Sequence, residues 1–103
     1  MEAQIERTTD ANGKAEIRIT LSGTCDEASS KNLCLQVARE LRGGSVNRAV
    51  VETTGLEFDL RDHQDVNHVV SVLHIASSGV ERFQLVDERA RKSMLLELLA
   101  TAK

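Results

Sequence analysis

The spacing of hydrophobic residues changes several times along this chain, and each change predicts a different element of secondary structure. In residues 15–21, apolar and polar side chains alternate, which predicts a strand with one buried face. In Glu27–Arg42, apolar residues recur every three or four positions, which is typical of an amphipathic helix. The same helical spacing returns in residues 63–77 and after Asp87, so three helices are expected.

Turn residues predict where these elements begin and end. Asn12-Gly13 accepts the positive φ angles of a tight turn, so it predicts a hairpin that joins strands at 4–8 and 15–21. Gly43-Gly44 predicts the end of the first helix, because glycine adopts the left-handed conformation that ends helices. Ser77-Ser78-Gly79 predicts the end of the second helix in the same way.

Two more strands are expected between and after the first two helices. The apolar run Ala49-Val50-Val51 predicts a central strand covered on both faces, and Gly55 marks a bend after it. Residues 83–86 predict the last strand, and Asp87 is expected to open the last helix. That helix is expected to bury Met94, Leu95, Leu98, Leu99 and Ala102 and to expose Glu88, Arg91, Lys92 and Glu97.

The predicted order of elements is therefore ββαβαβα, which indicates an α/β protein. Strands that alternate with helices predict a mixed, mostly parallel sheet packed against amphipathic helices, and the opening hairpin adds one antiparallel pair. A chain of 103 residues suits a single domain, which we expect to span residues 1–103.

Composition and charge exclude several classes of function. The net charge is −3 and the only aromatic residues are Phe58 and Phe83, both in predicted strands, so we expect no binding of nucleic acid. Apolar runs are too short for a membrane span, and the polar N-terminal segment does not resemble a signal peptide. The expected location is the cytoplasm.

The two cysteines and three histidines do not form a recognisable metal or redox motif. Cys25 and Cys34 are nine positions apart, which fits neither a redox pair nor a zinc knuckle. We expect Cys34 to be a buried structural thiol. Cys25 lies at a strand-to-helix turn, where a helix dipole can lower a thiol pKa, but no motif supports a catalytic role. His63, His68 and His74 have no i, i+4 pair, so no metal site is expected.

Two segments carry a family resemblance. Gly23-Thr24-Cys25-Asp26 leads into the first helix, and Val50-Val51-Glu52-Thr53-Thr54-Gly55-Leu56-Glu57-Phe58 leads towards the second. Over residues 17–99 the chain resembles the STAS domain family, which is named for sulfate transporters and bacterial anti-sigma factor antagonists. The resemblance implies a regulatory fold that docks a protein partner of the anti-sigma or signalling kind.

The family's phosphorylation motif is missing from the corresponding position. Phosphorylated members carry Asp-Ser-Ser-Gly at the start of the second helix, where a partner kinase modifies the serine. Here that stretch is Leu60-Arg61-Asp62-His63, which has no hydroxyl group. Glu52 also stands where the family often has aspartate.

The resemblance and the polar junction together predict a docking surface. We expect it to consist of Glu57, Arg61, Asp62, His63 and Gln64, to bind a protein partner by charge and shape, and to need no cofactor. Asp62 has two compatible interpretations, a helix N-cap and a fixed negative charge that mimics phosphoserine. No nucleophile elbow, phosphate loop or dinucleotide fingerprint is present, so we do not expect an enzyme.

A second function is also compatible with the sequence. The very apolar segment 94–99 of the last helix would line a pocket for a small ligand or a lipid if the core beneath it were not filled. Simple core packing explains the same residues. The sequence does not identify the partner or the oligomeric state.

Overall fold

The computed structural model describes residues 1–42 and 46–101, and their elements follow the predicted order. The strands are β1 (Glu2–Thr9), β2 (Ala15–Thr24), β3 (Val46–Glu57) and β4 (Arg82–Val86), and the helices are α1 (Glu27–Arg42), α2 (His63–Ser78) and α3 (Arg89–Thr101). The first helix has the predicted bounds, and the second ends one residue later than predicted, with Gly79 as its C-cap. The predicted stop at Gly43-Gly44 lies outside the described residues.

The strands form one mixed sheet in the order β1-β2-β3-β4. β1 pairs with β2 in antiparallel fashion, whereas β2, β3 and β4 are parallel to one another. Both parallel connections step in the same direction across the sheet, so right-handed crossovers place α1 and α2 on the same face. The predicted α/β class and the single described domain are confirmed.

The opening hairpin closes as the sequence predicts. Gly13 has a φ of 78°, which favours glycine, and the Asp10 carboxylate accepts hydrogen bonds from the amides of Asn12 and Lys14, each 2.9 Å long. The amide of Asp10 also donates to the carbonyl of Lys14. The turn therefore satisfies its own backbone groups and fixes the register of β1 against β2.

The hydrophobic core lies between the helices and one face of the sheet. It joins side chains from three strands and all three helices, and its fully buried members include Ile17, Ile19, Leu21, Val37, Ala49, Val51, Val69, Val72, Leu73, Ala76 and Leu95. Burying a side chain of this size stabilises the fold by about 1.5–3 kcal/mol. Within the described ranges, no helix combines the length and the apolarity needed to cross a membrane.

The other face of the sheet carries polar residues in place of helices. Val50 is buried but lies outside the core cluster, on the opposite face from Ala49 and Val51. Its neighbours in the register are Arg18 on β2 and Gln84 on β4. Ala49, Val50 and Val51 are therefore all buried, as predicted, with the core on one face and polar side chains flanking Val50 on the other.

A bulge in β3 changes which residues face the core. Between Thr20 and Ser22 the pairing of β2 advances by two residues, while β3 advances from Glu52 to Gly55. The extra residue shifts the alternation, so that Thr53 and Leu56 are both buried. A Cβ atom at Gly55 would lie 3.1 Å from the carbonyl oxygen of Leu21, so this close approach favours glycine. The predicted bend is thus a bulge, and the strand continues to Glu57.

Candidate functional site

Two strand-to-helix connections meet at the carboxyl edge of the parallel strands. β2 runs into α1 through Cys25 and Asp26, and β3 runs into α2 through residues 58–62. In open α/β sheets, this edge is where ligands and partners usually bind. The predicted docking residues all lie in the second connection or next to it.

Asp62 caps the first turn of α2, as predicted. Its Oδ1 atom accepts hydrogen bonds from the amides of Gln64, at 3.0 Å, and Asp65, at 3.3 Å, and its backbone is extended, with φ −89° and ψ 107°. These two amides would otherwise lack partners in the helix, so the cap contributes about 1 kcal/mol. Both bonds use the same oxygen, which leaves Oδ2 free of hydrogen bonds within the described residues.

Arg61 and Asp59 form an ion pair inside the loop itself. The carboxylate of Asp59 accepts a hydrogen bond from the Arg61 amide at 2.9 Å and lies 3.2 Å from the guanidinium Nε atom. The backbone hydrogen bond, followed by the side-chain bonds, lowers the pKa of Asp59. The Arg61 side chain is 91% exposed, so a partner would reach it without any rearrangement of the core.

The remaining predicted residues are also on the surface. Glu57 ends β3 with an exposed side chain, and His63 and Gln64 begin α2 with exposed side chains. Leu56 is buried and Phe58 is half-buried, so the polar residues face outwards while the apolar ones hold the connection in place. Phe58 itself follows the end of β3, although the sequence predicted it to lie in the strand.

A cleft between the starts of α1 and α2 extends this surface, and the sequence did not predict it. Its volume is about 360 Å³, and it is lined by Cys25, Asp26, Glu27, Gln64, Asp65, Asn67 and His68. Gln64 belongs to both the cleft and the predicted surface. Three carboxylates line the cleft, and the Asp26 pKa is lowered because its carboxylate accepts hydrogen bonds from Ser29, first from the backbone amide.

Neither cysteine has the properties of a reactive thiol. Burial raises the pKa of Cys25, and the nearby charge of Asp65 raises it further, so a helix dipole at this turn does not leave the thiol with a lowered pKa. Burial also raises the pKa of Cys34, which is half-buried in α1. Both thiols therefore remain protonated at neutral pH.

A buried polar cluster lies beneath the exposed loop and joins β3 to α3. The carboxylate of Asp87 is 1% exposed, and its Oδ2 atom lies 2.6 Å from the hydroxyl of Thr53 and 3.2 Å from Nε of Arg91. The hydroxyl of Thr53 also lies 3.4 Å from the Val86 carbonyl, but its single proton favours the shorter bond to a charged acceptor. Nε makes an ion pair with Asp87 without the alignment of a hydrogen bond.

Arg91 connects this cluster to the docking loop. Its two terminal nitrogens donate hydrogen bonds to the carbonyls of Leu56, at 3.1 Å, and Thr53, at 3.0 Å. The guanidinium carbon lies 4.3 Å from the centroid of the Phe58 ring, a distance typical of a cation–π contact. One side chain of α3 thus binds the bulge, the end of β3 and the first residue of the loop.

Two predictions about α3 are corrected by this cluster. Asp87 does not open the helix, which begins at Arg89; its carboxylate points into the cluster and accepts a bond from the amide of Glu88. Arg91 was expected on the solvent face but is only 17% exposed. The spacing Asp87, Arg91, Leu95 places these residues on one face, and this i, i+4 pattern was the signal that could have identified them.

The serines at the other end of α2 are bound to their own helix. The hydroxyls of Ser77 and Ser78 donate to the carbonyls of His74 and Ile75, at 3.1 and 3.2 Å. They lie some fifteen residues along α2 from Asp62, at the opposite edge of the sheet. Their position agrees with the prediction that they end the helix.

The core beneath α3 is filled. Leu95 is fully buried and Leu99 nearly so, whereas Leu96 is exposed, as is Met94, which was wrongly expected to be buried. The predicted core residue Ala102 lies outside the described residues. The remaining space is an open cleft of about 340 Å³ lined by His74, Ser77, Ser78, Phe83, Leu96, Leu99 and Ala100. Within the described residues His74 Nδ1 is buried there without a protein partner, and an open cleft admits water to such an atom. Across residues 1–42 and 46–101, no group of three metal-binding side chains occurs.

Comparison with solved structures identifies the fold. A structure of the anti-sigma factor antagonist SpoIIAA in its unphosphorylated form matches with a TM-score of 0.62 and 15% identity, covering 96% of this chain and 81% of that chain. The Bacillus cell fate determinant SpoIIAA in its phosphorylated form matches with a TM-score of 0.63 and 19% identity, covering 97% and 86%. This is the STAS fold.

The comparisons confirm the resemblance at the level of the fold. The strand order, the opening hairpin and the three helices of this chain agree with the architecture of SpoIIAA. No family model matches the sequence, and no curated protein matches it. Below 25% identity the likeness concerns architecture, so function has to be argued from this chain's own residues.

Proposed function

We propose that this protein is a non-catalytic regulatory module of the cytoplasm that docks a protein partner, as an anti-sigma factor antagonist does. Its single domain spans residues 1–103 and uses no cofactor. The docking surface consists of Glu57, Arg61, Asp62, His63 and Gln64. The observation that carries the proposal is that all five are exposed on a connection whose backbone is fixed from within by a cap and an ion pair.

Charge on this surface suggests the chemistry of the partner. The cleft beside Gln64 adds the carboxylates of Asp26, Glu27 and Asp65 to the exposed Glu57. A partner that places a lysine or arginine in this cleft would gain complementary charge, which steers association and selects against acidic partners. We therefore propose a basic surface on the partner.

The charge of the docking surface is fixed by its own side chains and does not depend on phosphorylation by a kinase. Asp62 stands where phosphorylated members of the family carry a serine, and its Oδ2 atom is left for a donor from outside the chain. A permanent carboxylate carries about one negative charge, against about −1.5 to −2 for a phosphate group, so it is a partial mimic at most. We propose that binding is constitutive and is controlled by the amount of protein.

Affinity capture from cell extract tests the proposal. The bait is wild type beside the double variant Arg61→Ala, Asp62→Asn, in which asparagine keeps the cap and hence the helix start. The matched control is Arg82→Ala, Glu6→Gln, which removes the same two charges from the helix-free face, where both side chains are exposed.

We expect a partner that is retained by wild type and by the control but lost from the docking variant. Retention by all three proteins, or loss from the control as well, would contradict the proposed surface. Incubation of wild type with the same extract and ATP should add no phosphate by intact mass. A phosphate on any serine or threonine, Ser77 and Ser78 included, would contradict constitutive binding.

A further inference from the structure

The fold places one half-buried arginine, Arg91, under the proposed docking surface. Arg91 is the fourth residue after Asp87 and the fourth before Leu95, so α3 presents it to the core side of the sheet edge. A guanidinium is costly to bury unless its donors find acceptors. Here two donors reach backbone carbonyls, Nε lies beside a carboxylate and the plane covers an aromatic ring.

Apart from the Asp87 carboxylate, these acceptors belong to the segment that leads into the docking loop. Thr53 lies in the bulge of β3, Leu56 is the last buried residue of that strand, and Phe58 is the first residue after it. The loop has no regular secondary structure between Phe58 and Asp62. Its remaining backbone bond across the turn runs from the amide of Asp62 to the carbonyl of Asp59.

We propose that Arg91 is a positioning residue that holds the β3–α2 loop in the arrangement that presents the docking surface. That the loop docks a partner rests on the proposed function. That Arg91 orders the loop rests on the contacts of Arg91 alone. A loop ordered before binding loses less conformational entropy when a partner docks. The arginine on α3 thereby contributes to binding without contacting the partner.

Arginine is required for this role because of its geometry. Its planar fork donates to two carbonyls at once and stacks on Phe58, while a lysine ammonium is a single point charge. Arg91→Lys keeps a positive charge near Asp87 but cannot make all three contacts. Arg91→Met keeps the length of the side chain and removes every donor.

Amide hydrogen exchange on the isolated full-length protein tests the inference. The reporters are the amides of Arg61, Asp62, Gln64 and Asp65, whose hydrogen bonds define the loop and the cap. In Arg91→Met we expect these amides to exchange about tenfold faster, since two hydrogen bonds from a charged donor are lost. Arg91→Lys should recover little of that protection, and Arg89→Met, an exposed neighbour on the same helix, should exchange like wild type.

A substitution in the core distinguishes a local effect of Arg91 on the loop from a loss of stability of the whole domain. Val72→Ala removes buried volume from α2 and lowers the stability of the whole domain, but local opening of the loop should be unchanged. Unchanged reporter exchange in Arg91→Met, or an equal increase in Val72→Ala, would overturn the inference. The measurement uses no partner, so a failed capture experiment would count against the docking surface and not against the role of Arg91.

Discussion

Two polar clusters lie at the same edge of the sheet and differ in almost every physical respect. The exposed cluster contains Asp59, Arg61 and Asp62, and its charges are local to one loop. The buried cluster contains Asp87 and Arg91 with Thr53, and it joins residues that are more than thirty positions apart. The exposed cluster, whose residues are neighbours in sequence, leaves its side chains accessible to a partner. The buried cluster, whose residues come from separate segments, holds the backbone of those segments together.

Removing the buried carboxylate should have the largest effect on stability. Asp87→Ala would leave Arg91 without its counterion and the Thr53 hydroxyl without its charged acceptor, so we expect a loss of about 3 kcal/mol in the free energy of unfolding. Urea denaturation followed by circular dichroism measures it. Glu88→Ala, at the exposed neighbouring position, should match wild type. A loss below about 1 kcal/mol would show that the buried pair contributes little.

Removing the hydroxyl of Thr53 should have the next largest effect. Thr53→Val keeps the shape of the side chain but withdraws the hydrogen bond to Asp87, which should cost about 1.5 kcal/mol in the same urea measurement. Thr53→Ser keeps the hydroxyl and tests whether that bond matters more than the buried methyl group. If the valine variant were as stable as wild type, the 2.6 Å contact would have no energetic role.

The cap of α2 should contribute less to the free energy of unfolding than the Asp87 carboxylate or the Thr53 hydroxyl. Asp62→Ala leaves the amides of Gln64 and Asp65 without their acceptor, and the expected loss in the free energy of unfolding is about 1 kcal/mol. Asp62→Asn should recover most of it, because asparagine also caps helices. An asparagine variant as unstable as the alanine variant would mean that charge, and not capping, accounts for the effect.

The exposed ion pair should have the smallest effect and a distinctive dependence on pH. The pKa of Asp59 lies below its ordinary value of 3.8, first because of the Arg61 amide. A carboxyl group with a lowered pKa adds stability above its unfolded pKa, and that stability is lost as the pH falls through the folded pKa. Arg61→Ala should leave the melting temperature at pH 7 unchanged, since exposed pairs contribute little.

A carbon-detected NMR titration measures the pKa of the Asp59 carboxyl group in wild type and in Arg61→Ala. In Arg61→Ala the pKa should rise only in part, because the hydrogen bond from the backbone amide, the largest single cause of the lowering, remains. A return to the ordinary value would show that the side chain, and not the backbone, sets the pKa.

The sequence predicted the elements well because their signals are local. The bounds of α1 follow from apolar residues at helical spacing, and the hairpin follows from Asn12-Gly13. The cap at Asp62 was also predicted, since it depends on residues two and three positions away. These features need no knowledge of tertiary contacts.

The features that the sequence did not predict depend on contacts between distant segments. The bulge at Gly55 needs the pairing with β2, and the burial of Arg91 needs acceptors on β3. The burial of Val50 was predicted, but an apolar run does not show that polar residues on β2 and β4 flank it. The cleft between the starts of α1 and α2 forms only after both helices pack on one face.

Site-specific photocrosslinking tests the docking surface at the start of α2 directly, because it reports contact with a partner at a chosen position. A photoreactive amino acid replaces Gln64, in the first turn of α2, and in a second protein it replaces Gln36, an exposed glutamine on α1. We expect one crosslinked partner from position 64 and none from position 36, with the product lost when Arg61→Ala and Asp62→Asn are added. Equal products from both positions, or a product at position 36 alone, would contradict a docking surface at the start of α2.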